Sequence, residues 1–252
     1  MKKFLSIIVI LAIIIIAPKA SAKEPILDTS KPGKPLTFGL RAGLNSSGMK
    51  NNYLSQMPGT IQSNFYWRMG GQVGGVVDLH IRKYLAIETG VFWEFRSYDT
   101  SMMTADTDED YMGSMFNHAK ANYLNIPVMA SFRLNILSQA QWHIDMGMYY
   151  AYGLCGKHDR QQYYAFSDAD SELIFDQQQS TPDYFGAEAK DFLAVNRADF
   201  GLRMGTGFTF ANHYFIGVYY QRGLRNIAKN SEGSPKIKLH NLNWSVSLGY
   251  NF

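Results

Sequence analysis

Apolar and polar residues alternate with period two along most of this chain, a pattern typical of β-strands whose two faces meet different surroundings. The alternation runs through eight segments: Thr37–Asn45, Met69–Ile81, Leu85–Phe95, Asn122–Leu134, Trp142–Leu154, Ala198–Phe210, Tyr214–Leu224 and His240–Phe252. These segments are 9 to 13 residues long, whereas strands of soluble proteins more often have about 5–6 residues. A tilted strand needs about 9–11 residues to cross a bilayer. The lengths therefore predict membrane-spanning strands.

The two faces of these segments differ in kind. One face is apolar in every segment, and Arg222 is its one residue of a charged type. The other face carries many glycines and eight charged residues: Arg41, Asp78, Glu88, Glu94, Arg133, Asp145, Asp199 and Arg203. An apolar exterior around a polar interior is the pattern of a membrane β-barrel, and a barrel of eight strands has room inside only for side chains. We therefore predict an eight-stranded antiparallel transmembrane β-barrel, an up-and-down meander whose lumen is stabilised and plugged by these eight residues.

The connections between the predicted strands alternate between long and short. In chain order they contain 23, 3, 26, 7, 43, 3 and 15 residues. Outer-membrane barrels have long extracellular loops and short periplasmic turns. With the N-terminus in the periplasm, every long connection is extracellular and every short one is periplasmic.

Aromatic residues on the apolar face mark the two expected membrane interfaces, where their amphipathic rings are enriched. Trp93 lies at the predicted outer end, and the set at the periplasmic end includes Phe38, Trp142, Phe210, Tyr214, Tyr250 and Phe252. The positions between them are mostly aliphatic. We expect these seven residues to lie at the membrane interfaces.

The N-terminus carries the signature of an export signal. Lys2 and Lys3 precede an apolar run over residues 4–17, and Ala20-Ser21-Ala22 resembles a cleavage site. Since the run has 14 residues, an uncleaved membrane anchor is the less favoured alternative. The predicted organisation is a signal peptide over 1–22, a short periplasmic segment over 23–36 and the barrel over 37–252. Cleavage would remove three of the 24 basic residues and so balance the 21 acidic ones, which gives no reason to expect a nucleic-acid partner.

Several stretches resemble the PorT-type outer-membrane β-barrel family. They are FGLRAGLN (38–45), YLNIPV (123–128), RADFGLRMGTGFTF (197–210) and the final GYNF, together with the glycine-rich second strand. The resemblance implies a small single-chain barrel in the outer membrane of a diderm bacterium, whose named family member is associated with a protein-secretion system. Pro127 falls where this family commonly has a proline. Because proline cannot donate a ladder hydrogen bond, we expect a bulge or a local lapse in pairing there.

Two His–Asp pairs on the polar face are candidates for general-base chemistry, which needs a histidine beside a carboxylate. These are His143 with Asp145, and Asp78 with His80, each two residues apart on one strand. Neither pair is accompanied by a serine in a nucleophile context. Structural polar clusters inside the barrel are the favoured interpretation of both pairs.

Two long connections carry further candidates. Asp106, Asp108 and Asp110 have the spacing of a calcium loop, but Tyr111 and Asn117 stand where glycine and glutamate are required, so a dedicated metal site is not expected. Weak divalent-ion binding by this acidic loop remains open. The connection over 155–197 is rich in Tyr, Gln and Asp and is either a contact surface or a plain surface loop. Cys155, at its start, is expected to be a buried small side chain.

The leading functional hypothesis is a non-enzymatic outer-membrane protein without a cofactor. It would act through its extracellular loops or by docking to membrane or secretion machinery. Its expected partners are the outer-membrane bilayer, the barrel-assembly machinery during insertion, and a protein or ligand at the loops. The alternatives are a lipid-modifying or proteolytic outer-membrane enzyme and a small diffusion channel.

The chain ends on an aromatic strand, VSLGYNF, which resembles the signal by which barrels are recognised for insertion. We expect deletion of Phe252 to lower the amount of folded barrel in the membrane, because it removes both an interface anchor and that signal. Heat-modifiable gel migration of membrane extracts measures the folded fraction. Unchanged insertion would contradict the signal role.

Overall fold

The computed structural model describes residues 25–52, 59–106, 111–137, 139–166, 173–181, 184–186, 195–229 and 236–252. The predicted signal peptide lies outside these residues, as do Asp108 and Asp110 of the acidic loop. The described residues form nine strands: β1 Leu36–Asn51, β2 Thr60–Arg82, β3 Leu85–Asp106, β4 Tyr111–Leu137, β5 Ala140–Phe166, β6 Leu173–Thr181, β7 Ala198–Phe210, β8 Tyr214–Gly223 and β9 Leu239–Asn251.

Eight of these strands close into an antiparallel ring. The order is β1-β2-β3-β4-β5-β7-β8-β9, and β9 pairs back onto β1 from Gly39↔Asn251 to Asn51↔Leu239. The predicted eight-stranded meander is therefore confirmed. The ninth strand, β6, is not part of the closed ring. It pairs with β5 over residues 158–165, beyond the residues 140–152 that pair with β7.

The strands β1 to β5 are longer than the sequence predicted. At the end of the barrel with short turns the predicted bounds lie close to the observed ones, but at the opposite, long-strand end β4 and β5 each reach 27 residues. Most of the predicted loops over 46–68 and 96–121 is paired strand. These extensions rise past the apolar band. Their outer face carries polar residues such as Asp99 and Lys120 while Tyr98 and Met102 are buried on the inner face, so the pattern of an apolar outer face no longer marks them.

Register shifts change which face of a strand is buried. On β5, Gly153 pairs with Tyr123 and Cys155 with Asn122, so Leu154 is an extra residue. Beyond this bulge the even-numbered His158 and Arg160 are buried. Cys155 is exposed, so the expectation of a buried cysteine is wrong, because the bulge turns its side chain to the outer face.

The ladder between β3 and β4 lapses at Pro127. Pairing runs to Thr89↔Val128 and resumes at Phe92↔Asn125 in the same register, so the chain skips the proline without a bulge. The Thr89 hydroxyl donates instead to the Pro127 carbonyl at 2.8 Å. The expected lapse in pairing is confirmed.

The segment before β1 lies against the short-turn end of the barrel. The His80 amide donates to the Pro35 carbonyl at 2.8 Å and the Asn135 amide to the Ile26 carbonyl at 2.9 Å. Asp28 accepts from the Lys83 ammonium at 2.9 Å. Hydrogen bonds from Ser30 and Lys83 lower the pKa of Asp28 to about 2, so this attachment is complete above the ordinary carboxyl pKa and weakens as the pH falls through about 2.

The exposed Cys155 offers a test of orientation, since it is the single cysteine of the chain. We expect a membrane-impermeant maleimide to label Cys155 on intact cells, because the long-strand end faces the medium in the predicted orientation. Labelled protein is quantified by gel-shift of the extracted barrel. In a Cys155→Ser background, Lys83→Cys at the opposite end serves as the control and should be labelled only after the outer membrane is broken. The reverse labelling pattern would show that the short-turn end faces the medium.

Candidate functional site

The inward face of the ring is polar and filled. All eight charged residues predicted for the lumen lie there, each with no more than 5% of its surface exposed: Arg41, Asp78, Glu88, Glu94, Arg133, Asp145, Asp199 and Arg203. Charges buried in this way need partners, because an unpaired charge in a dry interior is strongly destabilising. These eight side chains must therefore find their partners within the lumen.

Near the short-turn end, Arg133 organises one cluster. Its guanidinium lies 2.8 Å from the Asp78 carboxylate and donates to Ser131 at 3.3 Å. His80 approaches the same guanidinium at 3.4 Å and the Thr37 hydroxyl at 3.0 Å. Asp78 and His80 thus belong to a structural cluster in which the guanidinium contacts both the carboxylate and the ring.

His143 and Asp145 do not pair with each other. His143 Nε2 contacts the Thr209 hydroxyl at 3.0 Å, and Asp145 accepts from the Tyr219 hydroxyl at 2.9 Å. Both are buried. Because the two side chains have different partners, the geometry is that of structural hydrogen bonds and not of a carboxylate-oriented base.

Aromatic rings support the arginines in the middle of the lumen. The Arg41 guanidinium lies 4.1 Å from the Phe215 ring centroid, and that of Arg203 lies 4.5 Å from Tyr219. Such stacking contributes more where water is excluded. A Cβ at Gly205 would collide with the Tyr219 ring, so a glycine there leaves room for this inward aromatic.

Toward the long-strand end, Arg96 joins two carboxylates. It donates to Glu94 through Nε at 2.9 Å and Nη2 at 2.6 Å, and its Nη1 lies 3.6 Å from Asp199. Asp199 also accepts from Tyr149 at 3.0 Å and Asn241 at 2.9 Å. Arg96 was absent from the predicted network because it lies one residue past the predicted end of its strand, although the inward phase of 92 and 94 extends to it.

A short segment from the long connection closes the lumen above this arginine. Tyr184 and Phe185 are buried, and their rings stand edge to face at 4.8 Å. The Phe185 ring also meets Tyr123 at 5.5 Å, and Lys229 Nζ donates to the Phe185 carbonyl at 2.8 Å. Sequence reasoning missed this plug, because nothing in the local pattern shows that a loop residue returns into the barrel.

The predicted interface aromatics stand on the outer face of the ring. Phe38, Trp93, Tyr214, Tyr250 and Phe252 are exposed, while Trp142 and Phe210 are half-buried. Trp142 stacks on Phe208 with centroids 6.4 Å apart, and Trp93 Nε1 donates to Asn122 at 3.1 Å. Rings with an apolar body and a bonded polar edge suit the boundary between hydrocarbon and water.

Within the described ranges, three or more His, Cys, Asp or Glu side chains are nowhere grouped so that they could hold a metal ion. In the same ranges, no helix is long and apolar enough to cross a membrane.

Large apolar side chains cover the outside of the closed ring, and charged ones fill the inside. On β8, Ile216 and Val218 are about two-fifths exposed, while Phe215 and Tyr219 on either side of them are buried. This inside-out distribution defines an integral β-barrel of the outer membrane. A model of the family "Outer membrane protein beta-barrel domain" matches residues 21–229, and the chain belongs to that family.

Solved barrels of similar shape come from several bacteria. OprG of Pseudomonas aeruginosa is 13% identical with a TM-score of 0.42, over 91% of this chain and 99% of that one. Ail of Yersinia pestis, crystallised with the heparin analogue sucrose octasulfate, is 12% identical with a TM-score of 0.35, over 87% and 100%. The Neisserial surface protein NspA is 10% identical with a TM-score of 0.32, over 85% and 97%. No curated protein matches the chain.

Arg96 provides a test of the lumen network. We expect Arg96→Met to destabilise the barrel by about 3–5 kcal/mol, because Glu94 and Asp199 then remain buried without their shared cation. Urea unfolding of the barrel in micelles, followed by heat-modifiable migration, measures the change. Arg82→Met, at an exposed position, is the matched control and should change stability by no more than about 0.5 kcal/mol; equal effects of the two variants would contradict the network.

Proposed function

We propose that this protein is a closed, non-enzymatic outer-membrane barrel that acts through the surface it presents outside the cell. The observation that carries this proposal is the filling of the lumen, from the Arg133 cluster through Arg96 to the Tyr184–Phe185 plug. Ion pairs and stacked rings occupy the space that a diffusion path would need. A lumen packed in this way supports a scaffold and argues against a pore.

The extended strands supply the working surface. The outer aromatic girdle is the set of exposed interface aromatics that includes Trp93, Tyr150 and Tyr152. Beyond it, β2 to β5 continue as a curved sheet up to Asp106, Tyr111 and Phe166. A sheet held by a rigid ring presents side chains in fixed positions, which suits binding better than a loose loop does. The connection over 155–197, for which a contact surface and a plain surface loop are both open, begins as part of this sheet, since its first twelve residues belong to β5.

Docking to membrane or secretion machinery is the second candidate function. It is supported by the resemblance of YLNIPV and RADFGLRMGTGFTF to the PorT-type family, and by the segment 25–35, which lies across the short-turn end where a periplasmic partner would approach. The enzymatic alternative has less support, because His143 and Asp145 are bonded to separate partners inside the barrel.

Insertion by the barrel-assembly machinery fits the seam that closes the ring. The Phe252 amide donates to the Phe38 carbonyl at 2.8 Å, so the last residue pairs beside the first strand. Phe252 is 63% exposed on the lipid face. A terminal aromatic left outside the wall is available for recognition before closure.

We expect the wild-type barrel in planar bilayers to show no steady conductance, because the plug and the ion pairs block the lumen. Tyr184→Ala combined with Phe185→Ala should raise conductance by removing two buried rings from the mouth. Tyr150→Ala combined with Tyr152→Ala, on the lipid-facing side, is the control and should stay silent. Steady wild-type conductance in single-channel recordings would overturn the closed-barrel proposal.

A further inference from the structure

A groove of about 1160 Å³ opens on the outer wall of the barrel where β2, β3, β4 and β5 rise past the aromatic girdle. Tyr66, Trp67 and Arg68 line one side, Asp99 and His118 form part of its floor, and Phe116 lies further up. Asp99 and His118 stand on the outer face of the wall, because the neighbouring Tyr98 of β3 and Ala119 of β4 are buried on its inner face.

Two neighbouring aromatics of β2 line this groove. Tyr66 and Trp67 are both exposed, by 51% and 43%. They pair with Asp99 and Tyr98, and a register shift with one extra residue on β2 follows between Trp67 and Gly71. The indole of Trp67 lies over Gly48 of β1, where a Cβ would come within 2.7 Å of the ring. This glycine lets the ring lie flat against the wall with its other side open.

Asp99 bridges Arg68 and His118 on the groove floor. Arg68 donates to it through Nε at 2.7 Å and also through Nη2, while His118 Nδ1 contacts the other carboxylate oxygen. Burial raises the pKa of Asp99, but the hydrogen bonds from Arg68 and His118 outweigh it and hold that pKa below its ordinary value. The carboxylate therefore stays ionised and fixes Arg68, whose side chain is still 56% exposed.

Two lysines lie between this floor and the membrane. On the outer face, Lys120 of β4 stands directly opposite Lys157 of β5, two residue pairs above the Asn122↔Cys155 pair. Asn122 in turn accepts from Trp93 of the outer girdle. Like charges facing each other across a ladder destabilise it, and Asp159 offsets this only in part from 3.8 Å. An anion held between the two ammonium groups would remove the repulsion.

From these features we propose that the groove binds the phosphorylated sugar headgroup of a glycolipid in the outer leaflet. This inference rests on the proposed function and names the ligand class of its outer surface. Arg68, Lys120 and Lys157 hold the phosphate, because charge-assisted hydrogen bonds from guanidinium and ammonium are the strong contacts for it. Trp67 and Tyr66 pack on the apolar face of the sugar ring. Asp159 accepts hydrogen bonds from sugar hydroxyls.

The position of the groove favours a membrane lipid over a soluble ligand. The lysine pair lies immediately above the girdle that marks the edge of the hydrocarbon, at the depth where lipid headgroups stand. The groove is formed on the outer face of the wall just above this lysine pair, so a headgroup that stands beside the barrel can reach it. Basic sites at this depth are suited to anionic headgroups.

The test is a titration of the full mature chain, refolded in zwitterionic micelles, with lipid A, a phosphorylated glucosamine disaccharide that carries acyl chains. Calorimetry should show binding by the wild type and at least a tenfold loss in the Arg68→Gln, Lys120→Gln, Lys157→Gln triple variant. Trp67→Ala should lose about fivefold through the sugar contact. Removal of the phosphates from the lipid should weaken wild-type binding about tenfold.

The matched control replaces three exposed lysines on the other side of the mouth, Lys50→Gln, Lys236→Gln and Lys238→Gln, which changes the net charge equally. Lipid A binding equal in the two triple variants would overturn the proposal, as would equal binding of phosphatidylglycerol by the wild type. Heat-modifiable migration verifies that each variant is folded. If the wild-type barrel shows no conductance and does not bind lipid A, only this inference is contradicted. If it conducts steadily and binds lipid A, only the closed-barrel function is contradicted.

Discussion

The closed hydrogen-bonded ring is the constraint on which every other feature of this molecule depends. Hydrocarbon offers no partner to a backbone amide or carbonyl, so a strand can cross a bilayer only if both of its edges are paired within the protein. The ladder from β1 round to β9 meets that demand. Once the ring exists, the pleat sends alternate side chains to two solvents of opposite character. The apolar outer wall and the charged lumen are two results of one closure, and neither could form without it.

Eight strands enclose a narrow space, and the charges inside it must satisfy each other. Arg96 does so by joining Glu94 and Asp199, while Arg133 does so with Asp78. Arg41 and Arg203 lie against aromatic rings. Glycines facing the same space make room for these large groups. The interior is packed with ion pairs and aromatic rings, so the same residues stabilise the wall and fill the lumen. The proposed activity accordingly lies on a surface and not along the axis.

The sequence predicts the membrane-spanning part well because two different solvents act on it there. Alternation, strand length and the rhythm of turns all have their origin in the bilayer, and they identify the charged residues that point inward. Where the strands leave the membrane that contrast ends, so the upper halves of β4 and β5 resemble loops, and Arg96 falls just outside the predicted strand. The bulge beside Cys155 and the return of Tyr184 and Phe185 into the mouth depend on distant pairing. The outer groove combines four strands and two register shifts, and local pattern contains neither.

The bulge on β5 has a consequence for how such a chain can change over time. Below Leu154 the odd-numbered residues face the lumen; above Cys155 the even-numbered ones face inward. The two halves of one strand therefore obey separate rules of substitution. A shift or an inserted residue in the exposed half can be absorbed at the bulge, and the wall below keeps its register. Substitutions and insertions in the extension above the bulge can therefore alter the exposed surface without changing the register of the membrane-spanning half.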